Sequence, residues 1–217
     1  MTLLKTEISL DTWMPAAWEE FVKIADDPAS SKLKGYYYEK RMRFEPMSTG
    51  ADHSEDHLLI SMSIGIYAAL KGIRIKGRDC CSYRRAGVTE FQPDLSYHIG
   101  DRAKAIPCGT RVVNLDEYPL PDLVIEISDT SLSDDLGEKR LQYEDPGISE
   151  YWSVNVQKTQ ILAFSLATDG TIRRIRESIV LPGLKLDSLE QALQLGNQED
   201  QATMTAWLMT QFQASVN

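Results

Sequence analysis

The run Leu123-Val124-Ile125-Glu126-Ile127-Ser128 constrains this chain more than any other feature. It is almost entirely apolar and rich in β-branched residues, the composition of a central strand buried on both faces. Such a strand needs a layer on each side, so the chain reads as a layered α/β domain. Its 217 residues suffice for one domain with an appendage. They also suffice for a full core without disulfide or metal staples.

The rest of the chain supplies the layers. Helical spacing of Trp18, Phe21, Val22 and Ala25 behind Pro15 predicts a helix over 14–26. Tyr36, Tyr37, Tyr38 and Phe44 predict strands over 35–40 and 41–47, followed by a turn at Ser48-Thr49-Gly50. A long helix is expected over 52–71, opened by Asp52 and Glu55 in capping-box spacing and closed by Gly72. Its apolar positions cover most of the circumference, so it should be central. Short strands follow at 73–76, 81–84 and 94–99, then a loop at 100–113. After the 123–128 strand come a polar break at 129–133 and a helix at 134–145, ended by Pro146-Gly147. Strands near 150–156, 160–165 and 171–181 precede a Gln-rich helical end at 187–214. The expected fold is α/β, a mixed β-sheet core flanked by helices with an appended C-terminal helix. The expected division is an N-terminal helical segment 1–30, a main domain 31–186 and an appendage 187–217.

Composition excludes several classes. With 42% hydrophobic and 25% charged residues the chain is not disordered. A net charge of −9 argues against a non-specific nucleic-acid coat, which neutralises phosphates over a broad surface. The charge is uneven, however. Residues 31–85 carry eleven basic and six acidic side chains. These either gather into a local phosphate-attracting patch or are ordinary solvated charges. Cys80, Cys81 and Cys108 are odd in number and irregularly spaced, unlike a disulfide framework or a zinc site. The start of the chain lacks the pattern of a signal peptide, and no stretch approaches the ~18 apolar residues of a membrane span. A reducing, cytoplasmic setting without membrane attachment is the expectation.

Glu126 does not belong in such a strand. A carboxylate there costs several kcal/mol unless it is paired or holds a metal. It is therefore either a salt-bridged or strand-end residue, or a site. Gln92-Pro93-Asp94 opens an earlier strand, and Lys139 sits early in the helix after the Glu126 strand. Alone, Pro-Asp is a common turn and a helical lysine is usually solvated. Together the three fit one chemistry: two carboxylates hold a hard divalent cation, and a lysine orients water or stabilises charge on a phosphate.

Pro121-Asp122-Leu123-Val124-Ile125-Glu126-Ile127-Ser128, Ser133-Asp134-Asp135-Leu136-Gly137-Glu138-Lys139, Tyr143 and Gly147-Ile148-Ser149-Glu150-Tyr151-Trp152 form a pattern. So do Gly35-Tyr36-Tyr37-Tyr38-Glu39, His53 and Gln92-Pro93-Asp94 upstream. Over about residues 35–165 the sequence resembles the Uma-two family of restriction endonucleases, within the PD-(D/E)XK nuclease superfamily. The resemblance implies a four-stranded mixed core sheet flanked by helices. It makes Asp94 and Glu126 metal ligands together with the Ile127 carbonyl. The usual lysine two residues beyond the glutamate is replaced by Ser128, and the resemblance points to Lys139 instead, with Tyr143 one helical turn on. It further implies Glu39 as a third metal-binding carboxylate and His53 as a holder of water or phosphate. Lys40-Arg41-Met42-Arg43-Phe44 departs from the family's Gly-rich apolar strand pair, and Asp122 shares the strand face of Glu126.

The resemblance thus implies a Mg²⁺- or Mn²⁺-dependent endonuclease acting on DNA, catalytic through Asp94, Glu126, Lys139 and His53, and a homodimer for duplex cleavage. The alternative is a catalytically inactive nuclease-fold protein with a binding or structural role. A related phosphoesterase or RNA-directed nuclease would share the same site.

Overall fold

A computed structural model of the chain describes residues 9–47, 50–128, 132–167 and 169–214. The expected turn at Ser48-Thr49-Gly50, the break at 129–133 and the start of the chain lie wholly or partly outside these. In chain order the elements are β1 (Met14–Pro15), α1 (Trp18–Ala25), β2 (Leu33–Tyr38), β3 (Arg41–Pro46), α2 (Ala51–Lys71) and β4 (Ile75–Asp79). Then come β5 (Tyr83–Arg85), β6 (Thr89–Phe91), β7 (Leu95–Ile99), β8 (Val113–Asn114), β9 (Leu123–Ser128), α3 (Leu132–Asp135) and α4 (Glu138–Glu144). The chain continues through β10 (Glu150–Asn155), β11 (Gln160–Leu166), β12 (Ile172–Ile175), α5 (Leu186–Gly196) and α6 (Gln201–Ala214).

The strands form two six-stranded mixed sheets rather than one. The first has the order β1-β3-β2-β6-β5-β8, and the second β12-β11-β10-β9-β7-β4. β9 is indeed interior, antiparallel to β7 and parallel to β10. Alternation along β9 sends its residues to two different cores. Leu123, Ile125 and Ile127 join Leu59, Ile64, Leu189 and Leu208 in a cluster beneath α2, α5 and α6. Val124 joins Tyr36, Tyr83, Phe91 and Tyr143 between the two sheets. A third cluster packs Phe21 of α1 against Tyr37, Met42 and Phe44 on the outer face of the first sheet. Gly35 permits that approach, since a Cβ there would stand 3.1 Å from Phe44 and 3.3 Å from Phe21. The layer order is therefore α1, first sheet, second sheet, then the three helices α2, α5 and α6.

Several local expectations shift. The first helix begins at Trp18, and Met14–Pro15 instead adds a two-residue strand at the edge of β3, a place where proline's missing N–H is harmless. α2 starts at Ala51 with Gly50 as its N-cap and no side-chain cap, so Asp52 lies inside the first turn. Gly72 closes α2 in the left-handed conformation, as expected. The helix at 134–145 is broken by Gly137 into α3 and α4. The C-terminal helical end is two helices, and Met204, Leu208 and Phe212 of α6 are buried in the core beneath α2.

Candidate active site

Register between strands builds the site. Leu95 pairs with Ile125 in the antiparallel β7–β9 ladder, so Asp94 falls opposite Glu126 and both point into the layer between the sheets. In the first sheet, Lys34 of β2 pairs directly with Glu45 of β3. These two also face the inter-sheet layer, because they alternate with Leu33 and Phe44 of the outer cluster. Two cross-strand pairs, one from each sheet, thus meet face to face.

The polar contacts close the cluster. Lys34 Nζ donates to Asp94 Oδ1. Asp94 Oδ2 accepts the Ile127 amide at 2.7 Å. Glu126 Oε1 accepts the Tyr143 hydroxyl, and Glu126 Oε2 lies 3.4 Å from the Asp94 amide. Lys139 Nζ donates to Glu45 Oε1 at 2.9 Å, pairs with Asp135 Oδ1 at 3.1 Å, and stands 4.6 Å from the centre of the Tyr36 ring. The Tyr36 hydroxyl is 2.9 Å from both Glu45 Oε1 and the Gln92 carbonyl. Asp94, Glu126 and Lys139 are only 2–3% exposed.

Ser128 occupies the strand position where the resemblance expects a lysine. Its hydroxyl donates to Asp135 Oδ2 at 2.6 Å and touches Ser153 Oγ at 2.8 Å. Asp135 in turn grips Lys139. The lysine supplied by α4 is therefore linked through one carboxylate back to the strand position it replaces.

Electrostatics sets the protonation states. Burial drives the Glu126 carboxyl above the usual carboxylate range; Lys139 pulls it back only in part, and Asp94 adds a further push. Burial also acts on Asp94, but Lys34 and the Ile127 amide outweigh it and hold its carboxyl low. Glu45 is likewise held low despite burial, by Lys139 and Lys34. Burial lowers Lys139, yet Glu126, Asp135 and Glu45 together raise it above the ordinary lysine value. Fully ionised, four carboxylates face Lys34, Lys139 and the buried Arg43, whose Nε is 3.3 Å from Glu45 Oε2, and leave a formal excess of one negative charge in a buried layer. That excess calls for a proton or a cation.

One open side leads in. A cavity of about 290 Å³ is lined by Lys34, His53, His57, Asp79, Cys80 and Asp94, among others. His53 Nε2 is 3.7 Å from Asp94 Oδ1, and its ring bonds to the Ile127 carbonyl. Burial lowers its pKa, so it is neutral near pH 7. His57 Nε2 is 3.0 Å from the Asp94 carbonyl and 3.5 Å from Asp79. Burial, above all, pushes the Cys80 thiol up to about 12, which leaves it protonated.

Of the residues expected from the sequence, Asp94, Glu126, Lys139, Tyr143 and His53 come together. Glu39 does not. It sits exposed at the β2–β3 turn with φ +48°, five residues or about 16 Å along β2 from Lys34. The carboxylate in the cluster is Glu45, on the next strand. Asp122 is also apart, accepting the Ile99 amide at 2.7 Å and Arg102 at 3.0 Å. Sequence reasoning passed over Glu45, Lys34, His57 and Asp135. Strand alternation was the available signal: Lys34 and Tyr36, like Arg43 and Glu45, lie on one face. Of the eleven basic residues of the run 31–85, Lys34, Arg41, Arg43, Arg74, Arg84 and Arg85 are each ion-paired, which reduces the charge the run can offer a phosphate.

The donor chemistry suits a hard divalent cation. Asp94, Glu126 and the Ile127 carbonyl offer oxygen, the preferred ligand of Mg²⁺ and Mn²⁺. Among the described residues no three His, Cys, Asp or Glu side chains already stand together as a complete ligand set. No helix among the described residues is long and apolar enough to cross a membrane.

Comparison with known proteins agrees with this architecture. The sequence model of the Uma2 family, described as "Putative restriction endonuclease", matches residues 18–205. A solved structure from Anabaena variabilis ATCC 29413, described as a "putative nuclease belonging to DUF820", is similar at a TM-score of 0.52 and 17% identity, over 82% of this chain and 99% of that one. That likeness is one of fold. No curated protein matches the chain.

Proposed function

From the premise that this chain belongs to the Uma2 family of restriction endonucleases, we propose that it is a divalent-metal-dependent endonuclease hydrolysing DNA phosphodiester bonds. The observation that carries the reading is the carboxylate-rich cluster of Asp94, Glu126, Glu45 and Asp135 around Lys34 and Lys139, with Asp94 and Lys34 on the wall of an open cavity.

Asp94, Glu126 and the Ile127 carbonyl would hold Mg²⁺ or Mn²⁺. Such an ion lowers the pKa of a water and neutralises the scissile phosphate. The protein's own groups do the remaining work. Lys139, fixed by Glu45 and Asp135, orients the attacking water and stabilises the charge that develops on the phosphoryl oxygens. His53, neutral and 3.7 Å from Asp94, holds a water or phosphate oxygen at the cavity mouth. Tyr143 fixes the Glu126 carboxylate by its hydrogen bond. The attacking water gives up a proton to solvent as its oxygen forms the new P–O bond, the ester P–O bond breaks, and the leaving oxygen takes up a proton from solvent, so that one water is consumed. Cutting both strands of a duplex requires two such sites, which a homodimer supplies.

The test is conversion of supercoiled plasmid to nicked and linear forms with Mg²⁺ or Mn²⁺. Wild type should cut, and Asp94→Ala, Glu126→Ala and Lys139→Met should each lose roughly 10²-fold or more. Cleavage that survives both carboxylate changes would sink the assignment.

A further inference from the structure

Lys34 has no part in the reaction described above, yet it is 4% exposed, paired with Glu45 across the β2–β3 ladder, and in contact with Asp94 Oδ1. Asp94 Oδ2 already accepts the Ile127 amide, so Oδ1, which Lys34 holds, is the oxygen on the cavity side of the pair. A cation ligated through Oδ1 would stand beside the Lys34 ammonium, and like-charge repulsion sets the two in competition.

The two lysines of the cluster are held differently. Lys139 has two carboxylate partners and an aromatic ring beneath it. Lys34 makes one ion pair among the described residues, to Asp94. It also lines the open cavity, so its flexible four-carbon stem can swing toward solvent without displacing the core.

Resting on the metal-dependent reading, we propose that Lys34 is the resident counter-ion of the metal site. Its ammonium holds Asp94 Oδ1 until a divalent cation takes that oxygen. It then turns into the cavity as a second contact for the substrate phosphate. The arrangement neutralises Asp94 in the metal-free protein, where an unpaired buried carboxylate would destabilise the fold. It also sets the affinity for metal, because ligation has to displace an existing ion pair.

The experiment is calorimetric titration with Mn²⁺ of wild type, Lys34→Met and Lys139→Met, with Lys34→Gln alongside in case the methionine variant folds poorly. Removal of the competitor should tighten Mn²⁺ binding at least tenfold in either Lys34 variant. Lys139→Met removes the same charge but leaves Asp94 Oδ1 occupied, so its gain should stay under threefold. At saturating Mn²⁺ the Lys34 variants should cut plasmid at least tenfold more slowly. Equal or weaker Mn²⁺ binding in the Lys34 variants, or an equal gain in Lys139→Met, would overturn the counter-ion role. Unchanged turnover at saturation would overturn the phosphate contact. If neither wild type nor the Lys34 variants bind Mn²⁺, the metal-dependent function falls and takes this inference with it.

Discussion

Glu126→Gln should make the metal-free protein more stable. Glu126 is 2% exposed, faces Asp94 across the ladder, and belongs to a cluster whose carboxylates outnumber its cations by one. Gln keeps the shape and an oxygen to accept from Tyr143 while removing the charge. Replacing buried charges by neutral groups of similar volume stabilises proteins by about 1–4 kcal/mol in favourable cases. We take about 1–3 kcal/mol here, because the glutamine amide has to find an acceptor. At about 2–4 °C per kcal/mol for a chain of this size, the melting temperature should rise by about 2–12 °C. The pH dependence gives the sign. The folded-state pKa of Glu126 lies above its unfolded value, so the folded state binds the proton more tightly and stability falls as pH rises through that interval. The advantage of Gln should therefore be largest at pH 8 and vanish toward pH 4, where glutamate is protonated in both states. Calorimetric melting with EDTA, at a series of pH values, measures it. A lower melting temperature for Glu126→Gln at pH 8, or a gain independent of pH, would refute the account of the cluster as an unbalanced charge site.

Other expectations are as direct. Ser128→Ala removes the hydroxyl that anchors Asp135, so plasmid cleavage should fall about tenfold through loss of Lys139 orientation, with Mn²⁺ affinity in calorimetry unchanged. Glu45→Gln should lower the melting temperature near pH 7 by breaking the pair with Lys139, at a cost of about 1–3 kcal/mol. Because its folded pKa is depressed, that cost should disappear as the pH drops through the folded value. Leu208→Ala, deep beneath α2, should lose about 2–5 kcal/mol in urea unfolding; a loss under 0.5 kcal/mol would mean that α6 is peripheral.

The parts of this molecule legible in sequence are those where one residue conflicts with its surroundings. Glu126 stands out in an apolar strand, and its neighbours fix the direction of its face. Asp94 and Lys139 sit in unremarkable local settings, and only their combination with Glu126 and the resemblance to a known family single them out. Glu45 and Lys34 could not be found in that way. Each lies in a strand whose polar residues read as solvent-facing, and only the second sheet turns that face inward. The division into two sheets is itself hard to see, because the first sheet depends on strands as short as Thr89–Phe91 and Val113–Asn114, below the length at which alternation carries a signal. The family resemblance offered Glu39 as a third carboxylate. The hairpin turn there carries it away, while the register of β3 delivers Glu45.

The origin of the cluster in both sheets has a consequence for the order of events during folding. Neither sheet alone carries the full set: one brings Asp94 and Glu126, the other Lys34 and Glu45, and Lys139 arrives on a short helix between them. Each sheet can form its ladders while the charges remain in water and far apart. The cluster exists only once the sheets dock and α4 closes over Tyr36. A half-made chain emerging from the ribosome therefore carries only part of the cluster, which is complete only when the last layer is in place.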